Sequence, residues 1–504
     1  MECLRVWRLT DPAEDKSQIL DTKDSMLAES CAWVFDDSAF TSWFNDDESG
    51  VLWIHGDPGK GKTMMVMAAI DEISRRLEST KSMISYFFFQ SIMPNLNNAS
   101  AMVRGLTYLL CKENPTLRQY LHQKYAEAGE TLFEGPNALY SVWMTLLEIL
   151  EDRSVPRYYL LVDALDECDS QSLQSFLRLL EKALPGLNKK VKWILTSRNE
   201  PQITQQIRRD RHSCDTSLEL NSSYVAGAVK QFIASRMNDL VTLQNYDLDL
   251  AKKIQDHLDA HADGTFLWVS LVCKELEKVR TPCKALEACA QFPKGLNPLY
   301  QRMMEQINQD DDKEELHKVL STMALSCRPL GLRELSVLAR LKHPDEALYL
   351  VQSCGSFLTV QHQDQKINFV HKSAKDYFDD DRTVGLTIFP LGRGTAQKEL
   401  AHFLLDIMRS LRRDICGVQN VGFCREHISD DAILSHLPDH LQYACSFWAQ
   451  HLKEGVEYLY DNEEVHLFLQ RSLLHWIEAL AWLGKVSHGI RAMISLEAHV
   501  KVKI

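Results

Sequence analysis

The run HGDPGKGKT at residues 55–63 constrains this chain more than any other stretch, because it fixes both the fold around it and the ligand it can hold. Residues 56–63 satisfy the pattern G-x-x-x-x-G-K-[ST]. In that pattern glycines let backbone N–H groups wrap a phosphate, and the helix that follows adds the positive end of its dipole. Gly56, Asp57, Pro58, Gly59, Lys60 and Gly61 make the cradle. Lys62 reaches β- and γ-phosphate oxygens, and Thr63 offers its hydroxyl to Mg²⁺. The flanks agree, with an apolar run at 51–54 before the loop and a Met- and Ala-rich stretch after it. A glycine-rich turn with surface lysines is the competing reading, and that strand-then-helix context counts against it.

A second piece is YYLLVDALDEC at 158–168. A buried strand ending in Asp163 puts a carboxylate at the C-terminal edge of a sheet, where open α/β folds bind ligands and where Mg²⁺ needs an anchor. Asp166 and Glu167 follow one short turn later and could orient or deprotonate an attacking water. Their bland alternative is helix N-capping, which favours Asp over Glu. The third piece is VKWILTSRNEP at 191–201, where Arg198 lies just past a strand on the same edge. There a guanidinium can meet a γ-phosphate, although an arginine after a strand is by itself usually surface.

Strand-like runs at 51–55, 82–89, 158–163, 191–197 and 217–220 alternate with helical segments, and several are continuously apolar. That is the pattern of an α/β fold with a parallel sheet of about five strands, covered on both faces. The chain divides into a helical lead-in (1–48), a P-loop NTPase core (49–221), a helical domain (222–310), a winged-helix domain (311–383) and a C-terminal helical domain (397–504). In the fourth of these, RPLGLRELSVLARL precedes two β-rich runs and a helix, CGSFLTVQHQDQKINFVHKSAKDYF, with QHQDQK as the turn. A Gly- and Pro-bearing stretch at 384–396 reads as a linker.

The net charge of −13 opposes a general nucleic-acid or anionic-membrane binder, which needs a basic footprint. The short basic run Arg208-Arg209-Asp210-Arg211 reads as solvated surface. A DNA motor would show a basic track, and no acceptor pocket of a kinase announces itself. The 13 cysteines, without C-x-x-C pairs, fit buried thiols in a reducing compartment. With no signal-peptide segment and no apolar stretch of membrane-spanning length, a cytoplasmic location is expected. His436 and His440 stand at helical spacing with Pro438 between them and no acidic or Cys partner, so packing is the reading for them.

Taken together, GDPGKGKT, YFFFQ, VDALDECD, KWILTSRNEP, GTFLWVSLV and FVHKSAKDYF resemble the NACHT-domain NTPases of filamentous fungi. These are relatives of vegetative-incompatibility proteins and of animal NOD-like receptors, within the STAND class of signalling ATPases. The most specific element is DALDE, a small residue after the metal-binding Asp followed by an acidic pair. The resemblance implies that Lys62 and Thr63 bind phosphate and magnesium and that Asp163 holds the metal. It makes Asp166 and Glu167 serve hydrolysis and Arg198 a sensor. It also implies that His371, in FVHKSAKDYF, contacts the β-phosphate of a bound diphosphate, where the residue alone would read as a packed histidine. Phe266 stands where relatives carry a proline against the base, and its reading here is core.

The resemblance further implies ATP or GTP with Mg²⁺, and a slow NTPase acting as a switch that forms homo- or hetero-oligomers when activated. A nucleotide-stabilised scaffold or decoy without turnover, co-assembling with full-length NACHT proteins, is the alternative. Members commonly carry an effector domain before this region and repeats after it. Neither is legible here, which leaves a fragment and a bare switch module both open.

Overall fold

In the computed structural model the protein is described over residues 2–499, except 23–30, 92, 94, 134, 136, 188–190, 208–212, 245, 280, 356, 362–364, 381–384, 420–424, 456–457 and 498. The basic run at 208–211 and the middle of the QHQDQK turn lie outside the described residues. The chain forms two compact units, Met1–Leu299 and Tyr300–Ile504.

The first unit is built on five strands: β1 (Gly50–His55), β2 (Met83–Phe88), β3 (Tyr158–Asp163), β4 (Val191–Ser197) and β5 (Ser213–Ser217). All pair in parallel, in the order β2-β3-β4-β1-β5. Every residue of β1, β3 and β4 is buried, as their largely apolar runs, interrupted within β4 by Lys192, lead one to expect of strands covered on both faces. Trp143, Phe176 and Trp193 meet edge-on and stacked on one face of the sheet, with centroids 5.8–6.3 Å apart. Helix α1 (Lys62–Leu77) buries Val66, Ala69, Ile70 and Ile73, a stripe at helical spacing.

Helix α2 (Ala99–Glu113) packs on β2 and joins the lead-in to this unit. Its Arg104 donates to the carbonyl of Val6 at 2.7 Å, and its Lys112 pairs with Asp11. The remaining labelled helices of the unit are α3 (Ala138–Leu150), α4 (Ser170–Ala183), α5 (Ser222–Gln244) and α6 (Phe266–Glu277).

Register explains why the three sequence motifs converge. His55 at the end of β1 lies opposite Ser197 at the end of β4, and Val162, one residue before Asp163, lies opposite Leu195. The P-loop, Asp163 and Arg198 therefore leave the sheet at one edge. The expected strand at 217–220 is corrected: β5 is Ser213–Ser217, and 218–220 is a turn. The alternating SLEL reads as strand, but Leu218 and Glu219 are drawn out of the sheet onto the P-loop.

The second unit holds an antiparallel sheet, ordered β6 (Leu330–Gly331), β8 (Lys366–Phe369) and β7 (Leu358–Val360). Helices α7 (Lys313–Leu325) and α8 (Leu332–Leu338) flank β6 in sequence, and α9 (Lys372–Asp379) follows β8. The expected linker at 384–396 is also corrected. Ile388 and Phe389 are buried, and Gly392, at φ 87°, starts helix α10 (Arg393–Ile407) inside the segment. Glycine here marks a helix start, not slack chain.

Helix α10 packs on α11 (Asp439–Gly455) through a buried polar chain. His451 is fully buried; its Nδ1 donates to Gln397 Oε1, and its Nε2 accepts from the Tyr443 hydroxyl at 2.8 Å. That hydroxyl in turn accepts from the backbone N–H of Cys327 at 3.0 Å. The arrangement uses a neutral imidazole, and burial pushes the His451 pKa down to about 4 from 6.5.

The unfolded chain then binds the extra proton first, so this contribution is complete above pH 6.5 and is lost as pH falls toward 4. Denaturant unfolding of the full chain should show the transition carrying His451 losing about 2 kcal/mol between pH 7.5 and roughly pH 5. His451→Gln should lose most of that pH dependence. An equal pH dependence in the variant would reject the assignment.

Candidate functional site

The P-loop runs from the end of β1 into α1 under two backbone demands. Gly59 and Gly61 have φ of 77° and 88°, and Gly61 occupies the position just before the first turn of α1. Side chains at the loop would also collide with its surroundings. A Cβ on Gly59 would sit 2.8 Å from Leu267 Cβ, and one on Gly56 would sit 2.8 Å from Leu218 Cβ. The glycines thus let the loop curl under packed neighbours while the first N–H groups of α1 face outward from the helix.

Lys62 turns its ammonium back along the loop and donates to the carbonyls of Gly56 and Asp57. Burial pushes its pKa down, against the pull of Asp166 and Asp163. Lys60 points away from the cradle and donates to the carbonyl of Asp263 at 2.6 Å. Thr63 is the second residue of α1, and Pro58 and Asp57 form the outer bend.

Asp163, at the end of β3, is buried and accepts from Thr196 Oγ1 on β4 at 2.6 Å. Ala164 then takes φ 58° and ψ 53°, and its N–H donates to the same threonine oxygen at 2.9 Å. A small residue suits that left-handed turn; a β-branched one would be strained. Asp166 is held by the arginine loop: its two oxygens accept from the Arg198 backbone N–H and from Arg198 Nε, each at 3.1 Å. Glu167 Oε2 accepts from the backbone N–H of Ser91, just beyond β2, at 2.9 Å. Neither acid caps the following helix, since Asp169 does that for α4.

The motif residues of the core therefore gather at one edge in the first unit, around a loop shaped for phosphate. The donor set fits the group: backbone N–H groups and an ammonium for phosphate oxygens, and one hydroxyl with one carboxylate for Mg²⁺. Mg²⁺ ordinarily keeps waters and phosphate oxygens as its other ligands.

His371 lies in the second unit, where it caps α9. Its Nδ1 accepts from the Ser373 N–H at 3.1 Å and from the Ser373 hydroxyl at 2.8 Å, which leaves the ring proton on Nε2. Phe266 is buried at the start of α6 against Phe232, with centroids 5.6 Å apart, as the core reading expects.

Sequence reasoning missed Glu219. Its Oε1 accepts from the backbone N–H of Asp57 at 2.7 Å. Burial alone would raise its pKa, but the hydrogen bonds from Asp57, its own backbone, Asn199 and Ser217 outweigh this and hold it below the ordinary carboxylate value. In the sequence Glu219 falls inside the alternating run at 217–220 that reads as a strand, and no spacing rule singles it out.

Comparison with known proteins places these features in a lineage. Residues 29–198 match the family described as Nephrocystin 3, N-terminal. Over 530 aligned residues the chain is 35% identical to the vegetative incompatibility protein HET-E-1 of Podospora anserina, covering 98% of this chain and 38% of that protein. The chain thus spans well under half the length of this curated relative.

Among solved structures, the Aeropyrum pernix ORC1 protein in complex with DNA is similar with a TM-score of 0.34 and 11% identity, over 70% of this chain and 92% of that one. The Aeropyrum pernix ORC2 protein, in ADPNP and ADP complexes, gives 0.33 and 12%, over 75% and 96%. Likeness at that level bears on neither the activity nor the partners of this chain. Among the described residues no helix is long and apolar enough to cross a membrane. With its P-loop NTPase core and this extended match, the chain is a relative of the fungal NACHT-type vegetative incompatibility proteins.

Proposed function

We propose that this chain is a nucleotide-controlled signalling switch, a slow NTPase that alternates between a closed diphosphate-bound form and an open, oligomerising triphosphate-bound form. The observation that carries the reading is the meeting, at one sheet edge, of the P-loop, Asp163 and the Asp166–Arg198 pair. In this reading Lys62 and the loop N–H groups bind the phosphates of ATP or GTP, while Thr63 and Asp163 hold Mg²⁺. Glu167 orients the attacking water. Arg198 meets the γ-phosphate, and Asp166 sets the angle of its guanidinium.

In the second unit, the three-stranded sheet with α9 serves as a winged helix. In this reading His371 contacts the bound diphosphate and keeps the protein closed. Coupling then requires that the nucleotide bind the closed and open forms with different affinity. The compartment is cytoplasmic, and the partners on activation are other copies or other NACHT proteins.

The deciding experiment is to purify the full chain without added nucleotide, denature it and identify what is released. Stoichiometric ADP or GDP is expected. An empty protein that binds ATP and GTP weakly would sink the closed resting form.

Two sets of variants test the site. Lys62→Ala should weaken nucleotide binding by about two orders of magnitude, the scale of losing a desolvated charge partner. Glu167→Gln should bind normally and slow phosphate release by roughly 10²–10⁴-fold. Background-level release in both wild type and Glu167→Gln would favour the scaffold without turnover.

His371→Ser removes the imidazole while supplying another residue suited to cap α9. It should speed diphosphate release by about tenfold, the scale of an ordinary coupling free energy, and shift the protein toward oligomers in light scattering. A monomeric variant with unchanged release would remove the proposed role of His371.

A further inference from the structure

Between the P-loop and the loop that carries Arg198 runs a chain of hydrogen bonds that the motifs do not account for. Glu219, in the turn after β5, accepts from the Asp57 N–H with Oε1. Its Oε2 accepts from Ser217 Oγ at 3.1 Å and from Asn199 Nδ2 at 3.3 Å. The other end of the Asn199 amide, Oδ1, faces His55 Nδ1, and His55 Nε2 lies 3.2 Å from Asp215 Oδ2. His55 itself is 5% exposed and stacks on Trp53 at 4.1 Å.

The orientation of the amide follows from donor counting. A carboxylate can only accept, so Asn199 must turn its NH₂ to Glu219 and its carbonyl oxygen to His55. His55 Nδ1 is then the donor. One planar amide thus hangs between β1 and the turn after β5.

The sequence position of Asn199 gives this its weight. It is the residue after Arg198, whose N–H and Nε are both fixed on Asp166. The Arg198–Asn199 pair is therefore held from two sides, by Asp166 and by Glu219. The same Glu219 carboxylate holds the second residue of the P-loop with its other oxygen. A displacement of the P-loop bend is passed through one rigid group to the arginine loop.

We infer that Glu219 and Asn199 are positioning residues that set the register between the P-loop and Arg198, and so tune the site for a triphosphate over a diphosphate. The inference rests on the reading above, in which the P-loop holds phosphates and Arg198 meets the γ-phosphate. A purely structural brace would move stability and both affinities together. A register-setting bridge moves the triphosphate affinity selectively, because only the triphosphate reaches Arg198.

The test uses the full chain, fluorescent derivatives of ATP, ADP, GTP and GDP with Mg²⁺, and a thermal melt of each variant. Asn199→Asp puts a carboxylate against Glu219 and should lower triphosphate affinity about tenfold while the diphosphate changes by less than about threefold. The exchange variant, Asn199→Asp with Glu219→Gln, swaps amide and carboxylate. It preserves the bridge itself: His55 and the introduced amide both donate to the introduced carboxylate, and the Asp57 N–H donates to the amide oxygen, while the Ser217 hydroxyl changes from donor to acceptor of the second amide hydrogen.

The exchange variant should restore the triphosphate-to-diphosphate ratio to within about threefold of wild type, as coupled neighbours do and independent sites do not. Where the melt shows Asn199→Asp unfolded at the assay temperature, Asn199→Ser replaces it, removing the bridge without adding like charge. An unchanged ratio in the folded single variant overturns the inference, as does an exchange variant that recovers nothing. Wild type that binds none of the four nucleotides overturns the nucleotide reading itself, which separates the two failures.

Discussion

Complete burial of β1, β3 and β4 is the constraint on which the rest of the first unit depends. A strand covered on both faces has no room along its length for an unpaired polar side chain. Chemistry is therefore pushed to the strand ends, and parallel pairing brings those ends to one edge. The insertion of β4 between β1 and β3 gives this its particular form. It sets Thr196 where one hydroxyl serves two neighbours, donating to Asp163 and accepting from the Ala164 N–H. A buried carboxylate that could otherwise turn freely is held in one orientation at the place where a cation would sit.

The acids and bases at this edge also restrain one another. Lys62 lies in the field of Asp163 and Asp166, with Arg198 opposing them. Asp166 holds both the backbone N–H and the Nε of Arg198, whereas Glu167 accepts through Oε2 from the backbone N–H of Ser91. The two acids sit one residue apart in sequence but stand in different surroundings. In the proposed hydrolysis, that difference suits Asp166 to position Arg198 and Glu167 to act on water.

What could be read from the sequence was what local spacing encodes. The P-loop is eight consecutive residues, β3 is an unbroken apolar run ending in Asp163, and β4 is apolar apart from Lys192 until it ends in Thr196 and Ser197; both strands have the bounds the sequence predicts. Strand order was not legible, because pairing is decided by helices packing on both faces and not by any short pattern. The turn at 218–220 was misread as strand because alternation is ambiguous over four residues, and with it went Glu219, whose partner Asp57 is far away in sequence. The 384–396 segment was misread for a related reason: Gly392 and Pro390 look like loop chemistry, yet burial of Ile388 and Phe389 fixes the segment in place. Tertiary contacts overrode local preference in each case.

The proposed switch needs nucleotide to be felt by something other than the cradle itself, and the contacts around the P-loop suit that need. The P-loop is gripped from two directions by the region that follows the sheet. Leu218 and Glu219, just before α5, press on Gly56 and Asp57. On the other side Asp263 accepts from Lys60, and Leu267, at the start of α6, donates its N–H to the Gly59 carbonyl at 3.4 Å. Any movement of the loop that repositions Lys60 or Asp57 must therefore move the starts of α5 and α6, or break these contacts. Packed cores resist continuous deformation and prefer discrete arrangements. A loop held at both ends by helices is thus a place where a change of one phosphate can favour one packing over another.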